Sequence, residues 1–336
     1  MKRYLHYSGI AVIAMLSVLC FYQAILGSRA LRAAAEFVDM ALASELQAKE
    51  ASTILANQKD EETYQSVFMA IENNVYLKNE TNGKSAVVDK IAIVGTGSLL
   101  TKQNIHLNEE DKTGCLISAD IAETLFGNTN VSEVEIMMNN HLYEVRGVVH
   151  DLKETVMVTA DNETQMTRLR VRIPEEKTAA QIQSAVMNQY GISGTILEYQ
   201  LLYWLGAGSL WLFPVIASIR FLFWLLANAK STTRKMERIL WWGSSLLLIG
   251  VCGYFMMELI RIPRELVPTK WSDFSFWTRL GQEKLEALRY LFAIKKLPFE
   301  GFYISSFIQV LLLSVISLVL YFLAIICYTN ERLKSS

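Results

Sequence analysis

Cysteine is scarce in this chain, and the four that occur are badly placed for a disulfide framework. Cys20, Cys252 and Cys327 fall inside long apolar stretches, which leaves Cys115 alone in the more polar part of the sequence. A lone thiol in that setting reads as a small buried hydrophobe, not as a nucleophile. An excess of one charge is also missing. Lys and Arg total 32 against 33 Asp and Glu, a formal net charge of -1, so nothing points to nucleic acid. Signatures of chemistry are absent as well. The four histidines, His6, His106, His141 and His150, show no HExxH or comparable ligand spacing; His141 at a turn and His150 at a strand end read as solvated. Paired carboxylates such as Glu109 with Glu110 read as loop charge. Gly83, Lys84 and Ser85 end like a phosphate-binding loop, but Lys78 stands where that loop needs glycine, and a strand-like run follows instead of a helix. No catalytic residue, no metal site and no cofactor is therefore expected.

Charge is missing in a more informative way from four stretches, residues 4–28, 199–219, 239–257 and 301–330. Each is long enough, or nearly so, for the roughly 20 apolar residues that a helix needs to cross a bilayer. Four membrane helices are expected, with boundaries at 1–28, 199–229, 239–260 and 301–330. A signal peptide would need a shorter apolar core than the first stretch has, and "AILGSRALRAAAEF" continues it as helix. Lys2 and Arg3 at one end, and Lys230, Arg234, Lys235 and Arg238 in the 230–238 loop, place the N-terminus and that loop in the cytoplasm. Residues 29–198 are then extracytoplasmic, as is the 261–300 connection despite its eight lysines and arginines, and 331–336 form a cytoplasmic tail. Arg220 interrupts the second span. A charge at mid-bilayer costs ~2.5 to 3.5 kcal/mol on insertion scales, so Arg220 must reach water, phosphate or a partner, most simply by snorkelling at the cytoplasmic face.

Between the first two spans the sequence has the grammar of a folded, water-facing domain. Leu31, Ala35, Val38, Leu42 and Leu46, at spacings of three and four, predict a helical stalk continuing from the first span, and "TYQSVFMAIENN" reads as a second helix. Strand-like runs follow: "AVVDKIAIVG", "GCLIS", "VEIMM" and "HLYEVRGVV", the last two joined as a hairpin by Asn139 and Asn140. "GTGS" at 95–98 reads as a turn. "ISADIAETLFGN" at 117–128 reads as a short helix capped by Ser118, with Asp120 in its first turn and Gly127 as its stop. "MTRLRVRIP" alternates like a strand, and "TAAQIQSAVMNQYG" reads as a helix stopped by Gly191. The mixture predicts an α+β domain inserted into a membrane α-helical protein. Asn79, Asn130 and Asn162 sit in short glycosylation-type triplets that arise often by chance. In the 261–300 connection, after Pro263 and Pro268 and before Pro298, the residues Trp277, Leu280, Leu285, Leu288, Leu291 and Phe292 share one helical half. Arg279, Gln282, Glu283, Glu286 and Arg289 share the other. Such a helix suits the outer headgroup layer, with Trp271 and Trp277 in that zone, or packing beneath the outer domain.

"GSLLT" at 97–101, "CLISADIAETLFGN" at 115–128 and "LYEVRGVVHD" at 142–151 together resemble the core domain of MacB-type and FtsX-like ABC transporter permeases. In that family a strand, a short helix ending in Leu-Phe-Gly and a hairpin ending in Val-x-Gly-Val follow one another, with one membrane helix before the domain and three after it. The resemblance implies a bacterial cell-membrane subunit with no ATPase of its own. A separate cytoplasmic ATPase would drive it, usually as a dimer with a second permease copy or a paralogue, and lever-like motion would pass to the outer domain. Three departures stand out. "EVEI" at 133–136 replaces the family's glycine-bearing pattern, "STTRKMERILWWG" stands where a Glu-Arg-x-x-Glu-Ile-Gly loop signature is usual, and the outer stretch is compact, with little room for a second lobe. Arg220, Lys230, Arg234, Lys235 and Arg238 are the candidates for ATPase coupling, and Trp277, Leu280, Leu288 and Phe292 for an interfacial helix. The alternative is a non-transporting membrane sensor or adaptor that uses the outer domain for binding.

Overall fold

A computed structural model describes residues 2–57, 65–101, 103, 107–108, 110–174, 177–259 and 274–335. The readings above for His106, Glu109, Pro263, Pro268 and Trp271 fall outside these residues, and the side chains of His6 and Cys252 are likewise not described. The chain divides into two compact units. A helical unit comprises Met1–Ala30, Leu201–Glu286 and Ser306–Ser336; an α+β unit comprises Leu31–Gln200 and Ala287–Ser305.

The α+β unit is built on nine strands among the described residues: β1 (Phe37–Gln47), β2 (Ser66–Lys78), β3 (Ser85–Gly95), β4 (Gly114–Ser118), β5 (Val134–Met138), β6 (His141–Val149), β7 (Thr155–Thr159), β8 (Gln165–Arg172) and β9 (Gly194–Leu197). They run in the order β3-β7-β4-β6-β5-β2-β8-β1-β9, and β2 also pairs with β3, so six strands form a closed circuit from which β8, β1 and β9 extend. The long β2 makes this possible. Its first residues, Ser66–Met69, pair with β8, while Leu77 and Lys78 pair with β5, and a bulge between Glu72 and Val75, with Asn74 at φ 57, bends it between the two partners. Three helices complete the main body: α2 (Ala48–Asn57), α3 (Ala119–Phe126) and α4 (Ala179–Tyr190).

Both faces of this sheet are covered. Phe68, Ala92, Cys115, Ile117, Val156 and Leu169 point into one core with Ala51 of α2, Leu125 of α3 and Ile182 of α4. Val67, Met69, Ile91, Ile93, Leu116 and Met157 point into a second core, closed by Leu99, Leu152 and, from far along the chain, Leu297 and Phe299. A strand buried on both sides is a continuous apolar run without alternation. That is why two segments are strands where helices were expected. The stalk reading holds only at its start: α1 continues past the first span to Ala34, and from Phe37 the segment is β1. Val38, Leu42 and Leu46 are spaced by four, an even number that also puts them on one side of a strand, and pairing with both β8 and β9 decides the matter. The segment "TYQSVFMAIENN" enters β2 for the same reason, its apolar run being shared between the two cores.

The remaining local readings hold, with one change. The hairpin turns at Asn139 and Asn140, φ 48 and 63, α3 stops at Gly127, φ 73, and α4 carries a complete capping box from Thr178 and Gln181 before stopping at Gly191. The 95–98 turn continues into a short 3-10 turn at Gly97–Leu99. Ser118 precedes α3 but does not cap it; its Oγ accepts a hydrogen bond from the Thr155 amide at 3.0 Å, and Asp120 Oδ2 accepts one from the Glu154 amide at 2.8 Å. Both side chains thus fasten the start of β7 instead of their own helix. Asn79 is buried, and its amide donates to the Leu125 carbonyl at 3.2 Å, which removes it as a glycosylation acceptor.

The helical unit draws on α1 (Lys2–Ala34), α5 (Tyr199–Ser231), α6 (Lys235–Leu259), part of α7 (Phe274–Ala293) and α8 (Pro298–Ser335). Among the described residues three segments are long and apolar enough to cross a membrane: Ser8–Ala34, Tyr199–Ser231 and Pro298–Thr329. Small polar residues hold them together. Ser17 Oγ donates to the Ser317 carbonyl at 2.8 Å and Ser317 Oγ returns the bond to the Ser17 carbonyl at 2.9 Å, both buried, while Phe213 of α5 meets Phe21 and Tyr321 at 4.9 and 5.4 Å. Most other apolar side chains of these helices face outward, as lipid-facing residues do.

Replacing Ser118 by Ala leaves the buried Thr155 amide without its acceptor. The expected cost is about 1–2 kcal/mol, read as a fall of about 2–8 °C in the melting temperature of the α+β unit in the detergent-solubilised chain; an unchanged melting temperature contradicts the assigned bond.

Candidate functional site

Strand β8 places Arg168, Arg170 and Arg172 on one side and Leu169 and Val171 on the other, in the first core. Each arginine on that side has a different task. Arg170 is only 1% exposed and stands directly opposite Asp39 of β1 in the strand register. Its Nε and Nη2 donate to the two Asp39 carboxylate oxygens at 2.7 and 2.9 Å, and Nη1 donates to the Leu99 carbonyl at 3.2 Å. The guanidinium carbon lies 4.1 Å from the centre of the Phe299 ring and 4.9 Å from that of Phe37. Burial alone would push the Arg170 pKa down; the charge and hydrogen bonds of Asp39 outweigh it and raise the value instead, so the cation persists.

Arg168 reaches the same distant stretch of chain. Its Nη2 donates to the Lys295 carbonyl at 2.8 Å, and its Nε lies 3.8 Å from Glu300 Oε1. Glu300 is wholly buried, and its Oε2 accepts the Leu297 amide at 2.8 Å, the reach-back contact of a glutamate in the first turn of a helix. Pro298 begins that helix, where a missing amide hydrogen is harmless. Lys296 donates to the Leu291 and Ile294 carbonyls and closes the end of α7. Burial pushes its pKa down. The outcome is a clamp: two arginines of one strand hold residues 295–300, and through them the first turn of α8.

Beside the clamp opens a cleft of about 1060 Å3, at the upper end of the range for small-molecule pockets. Aromatic faces of Phe37, Phe302 and Tyr303 line it together with Arg172, Lys153 and the exposed His150. Arg172 is fixed there by Nη1 donating to Gln65 Oε1 at 2.6 Å and by the Phe37 ring at 5.5 Å. Neither clamp nor cleft was foreseen. The signal was present in "TRLRVR": three arginines at alternate positions of a strand need acceptors on one side, and Asp39, also in an apolar run, is such an acceptor.

The residues singled out for coupling are distributed along α5 and α6. Arg234 pairs with Glu237 at 2.9 Å, and Arg238 donates to the Thr232 carbonyl at 2.9 and 3.2 Å, fastening the α5–α6 connection. Lys230 and Lys235 are exposed. Arg220 lies about 15 Å further back along α5, in a separate groove lined by Phe221, Trp224 and Tyr328. Of the apolar half of α7, Trp277, Leu285 and Phe292 are exposed, Leu280 and Leu288 are half-buried, and Leu291 is buried. Among the described residues no group of three or more His, Cys, Asp or Glu is placed to hold a metal ion. Cys115 is fully buried, and burial pushes its thiol up to about 12.

No protein-family model matches the chain, and no curated protein matches its sequence. Two solved structures are similar to part of the chain. The crystal structure of the periplasmic region of MacB from Actinobacillus actinomycetemcomitans is similar over 49% of this chain and 90% of its own, at 12% identity and a TM-score of 0.40. The extracellular domain of the noncanonic ABC-type transporter YknZ from Gram-positive bacteria is similar over 47% of this chain and 99% of its own, at 14% identity and a TM-score of 0.36.

Removing one partner of the buried pair is expected to cost about 3–5 kcal/mol, because the other charge is left uncompensated. Asp39→Ala should therefore speed hydrogen exchange in β1 and β8 sharply, whereas the double change Asp39→Leu with Arg170→Met should be milder than Asp39→Ala alone. A double variant at least as damaged as the single one contradicts this account. Cys115 should remain unmodified by a maleimide at pH 8 in the folded chain and react after denaturation, as read by peptide mass spectrometry; rapid native labelling contradicts its burial.

Proposed function

We propose that this chain is a permease-type subunit of an ABC transporter, coupling a separate cytoplasmic ATPase to movement of an extracytoplasmic domain. The work done is export or extraction of a peptide or amphiphile, or transmission of force across the membrane. In this reading α6 is a fourth span beside the three candidate segments, residues 29–198 and 261–300 are extracytoplasmic, and both termini are cytoplasmic in a bacterial cell membrane. A second permease copy or a paralogue completes the complex. ATP hydrolysis comes from the partner, and the chain performs no chemistry of its own.

The observation that carries this reading is the clamp. Arg168 and Arg170 grip residues 295–300, and α8 runs on from Pro298 to Ser335 as one helix. A helix is a stiff hydrogen-bonded rod, so a shift of its far end is felt at its first turn, where the second core of the sheet depends on Leu297 and Phe299. Lys230, Arg234, Lys235 and Arg238 form the ATPase contact, and the apolar half of α7, with Trp277, Leu280, Leu288 and Phe292, lies in the outer headgroup layer. A second reading, a sensor or adaptor that only binds, is favoured by one feature: the 1060 Å3 cleft beside the clamp.

Affinity purification of the full chain from its own membranes discriminates the two. Copurifying ATP hydrolysis that falls at least severalfold when Arg234, Lys235 and Arg238 are changed to Ala supports the permease reading; no associated ATPase favours the sensor. Sidedness is tested on Lys84→Cys, at an exposed turn, because the buried Cys115 reports nothing. A membrane-impermeant maleimide should label it on intact cells, and labelling only after permeabilisation removes the extracytoplasmic assignment.

A further inference from the structure

Arg220 occupies an unusual setting within the helical unit. It lines a groove of about 580 Å3 whose walls come from Ala14 of α1, Phe221 and Trp224 of α5, and Tyr321, Ala324 and Tyr328 of α8. Arg220 is the one charged side chain in that lining, and no acid faces it. Among the described residues it makes no hydrogen bond and no ion pair. The alanines leave room between the helices, while Trp224 is held rigid by stacking on Phe221 at 5.6 Å and by the edge of Trp241 at 5.4 Å. Arg220 is exposed, and a cation without a partner among the described residues, in an otherwise aromatic and aliphatic groove, suits an anion that approaches from the surrounding membrane.

Three helices agree on the depth of this groove. From Tyr199, the first residue of its segment, α5 rises about 31 Å to Arg220. Along α1 the distance between Ala34 and Ala14 is about 30 Å, and along α8 Tyr321 and Tyr328 lie about 35 and 45 Å from Pro298. The hydrocarbon core of a bilayer is about 30 Å thick. Measured along these helices, the groove lies about 30 to 45 Å from Tyr199, Ala34 and Pro298, at least one core thickness, which puts it toward the interface at their other ends, the side from which the α5–α6 connection continues. Phosphate groups are concentrated there, and Trp and Tyr rings favour that layer.

We propose that this groove is a binding site for an anionic phospholipid of the leaflet adjoining the α5–α6 connection. Its phosphate is held by the Arg220 guanidinium, whose planar fork suits phosphate oxygens, and one acyl chain lies along the apolar wall past Ala14 and Ala324. A zwitterionic headgroup brings its own cation, and no carboxylate in the lining receives it, so the site prefers a lipid of net negative charge. The proposal rests on α1, α5 and α8 crossing a membrane and not on the presence of an ATPase. It takes Arg220 out of the set of ATPase-coupling residues.

The test uses the delipidated full chain in detergent, titrated with phosphatidylglycerol or phosphatidylcholine and read by native mass spectrometry. The first lipid bound should show about a tenfold preference for phosphatidylglycerol, the size of one charge-assisted contact. Arg220→Gln should abolish that preference and Arg220→Lys keep part of it. Ala14→Trp, which fills the groove without touching the charge, should lower binding of both lipids and serves if the Arg220 variants fail to fold. Equal affinity of the unaltered chain for the two lipids overturns the proposal. So does a preference that survives Arg220→Gln but disappears when Arg234, Lys235 and Arg238 are changed to Gln, which assigns the effect to the loop. Loss of a copurifying ATPase in Arg220→Gln with lipid preference intact likewise overturns it, while leaving the permease reading standing.

Discussion

A guanidinium can be buried only where its charge and its donors are met, and the α+β unit is organised around meeting that condition at Arg170. Taking the ion out of water costs several kcal/mol. A bidentate carboxylate, a backbone carbonyl and the face of Phe299 return much of it. Each of these comes from a different part of the sequence: Asp39 from the first strand, Leu99 from the turn after β3, Phe299 from the start of the last helix. The pair also fixes register. A slip of β1 by one residue against β8 would set Asp39 opposite Leu169 or Val171 and turn its carboxylate into the first core, leaving Arg170 unpaired on the other side. The contribution is thus more to uniqueness than to net stability, since buried ion pairs often do little better than apolar replacements.

Much of the α+β unit was legible in its sequence because its edges are marked by local chemistry. Asn139-Asn140, Gly127 and Gly191 act within a few residues of themselves, and each turns or stops its element in the structure as the sequence indicates; the Thr178/Gln181 box that starts α4 is an addition from the structure. The misreadings share one cause. In β1 and β2 the apolar runs serve two cores, so the period-2 alternation that identifies a strand is erased. Ser118 shows the complementary limit: its type and position suit a cap, but a long-range acceptor role at Thr155 prevails. The clamp was harder still. Arg168 and Arg170 meet residues over 120 positions away, and no local rule brings those together.

The helical unit obeys a different logic. In lipid, apolar contact gives helices little reason to associate, so close packing and hydrogen bonds of small residues do the holding, reciprocally between Ser17 and Ser317 and by a single bond from Ser209 to Ser314. Polar groups within such helices are then conspicuous, and Arg220 stands out because no other charged side chain lines its groove among the described residues.

The covering of the second core has a consequence for biosynthesis. Leu297 and Phe299 close one side of the sheet, yet they leave the ribosome about 100 residues after the last strand, a delay of roughly 5–20 s at ordinary elongation rates. Through that interval the nascent sheet presents Val67, Met69, Ile91 and Leu116 uncovered, while three intervening helices are still being made and threaded. The second core is therefore completed only once the start of the last helix has been made.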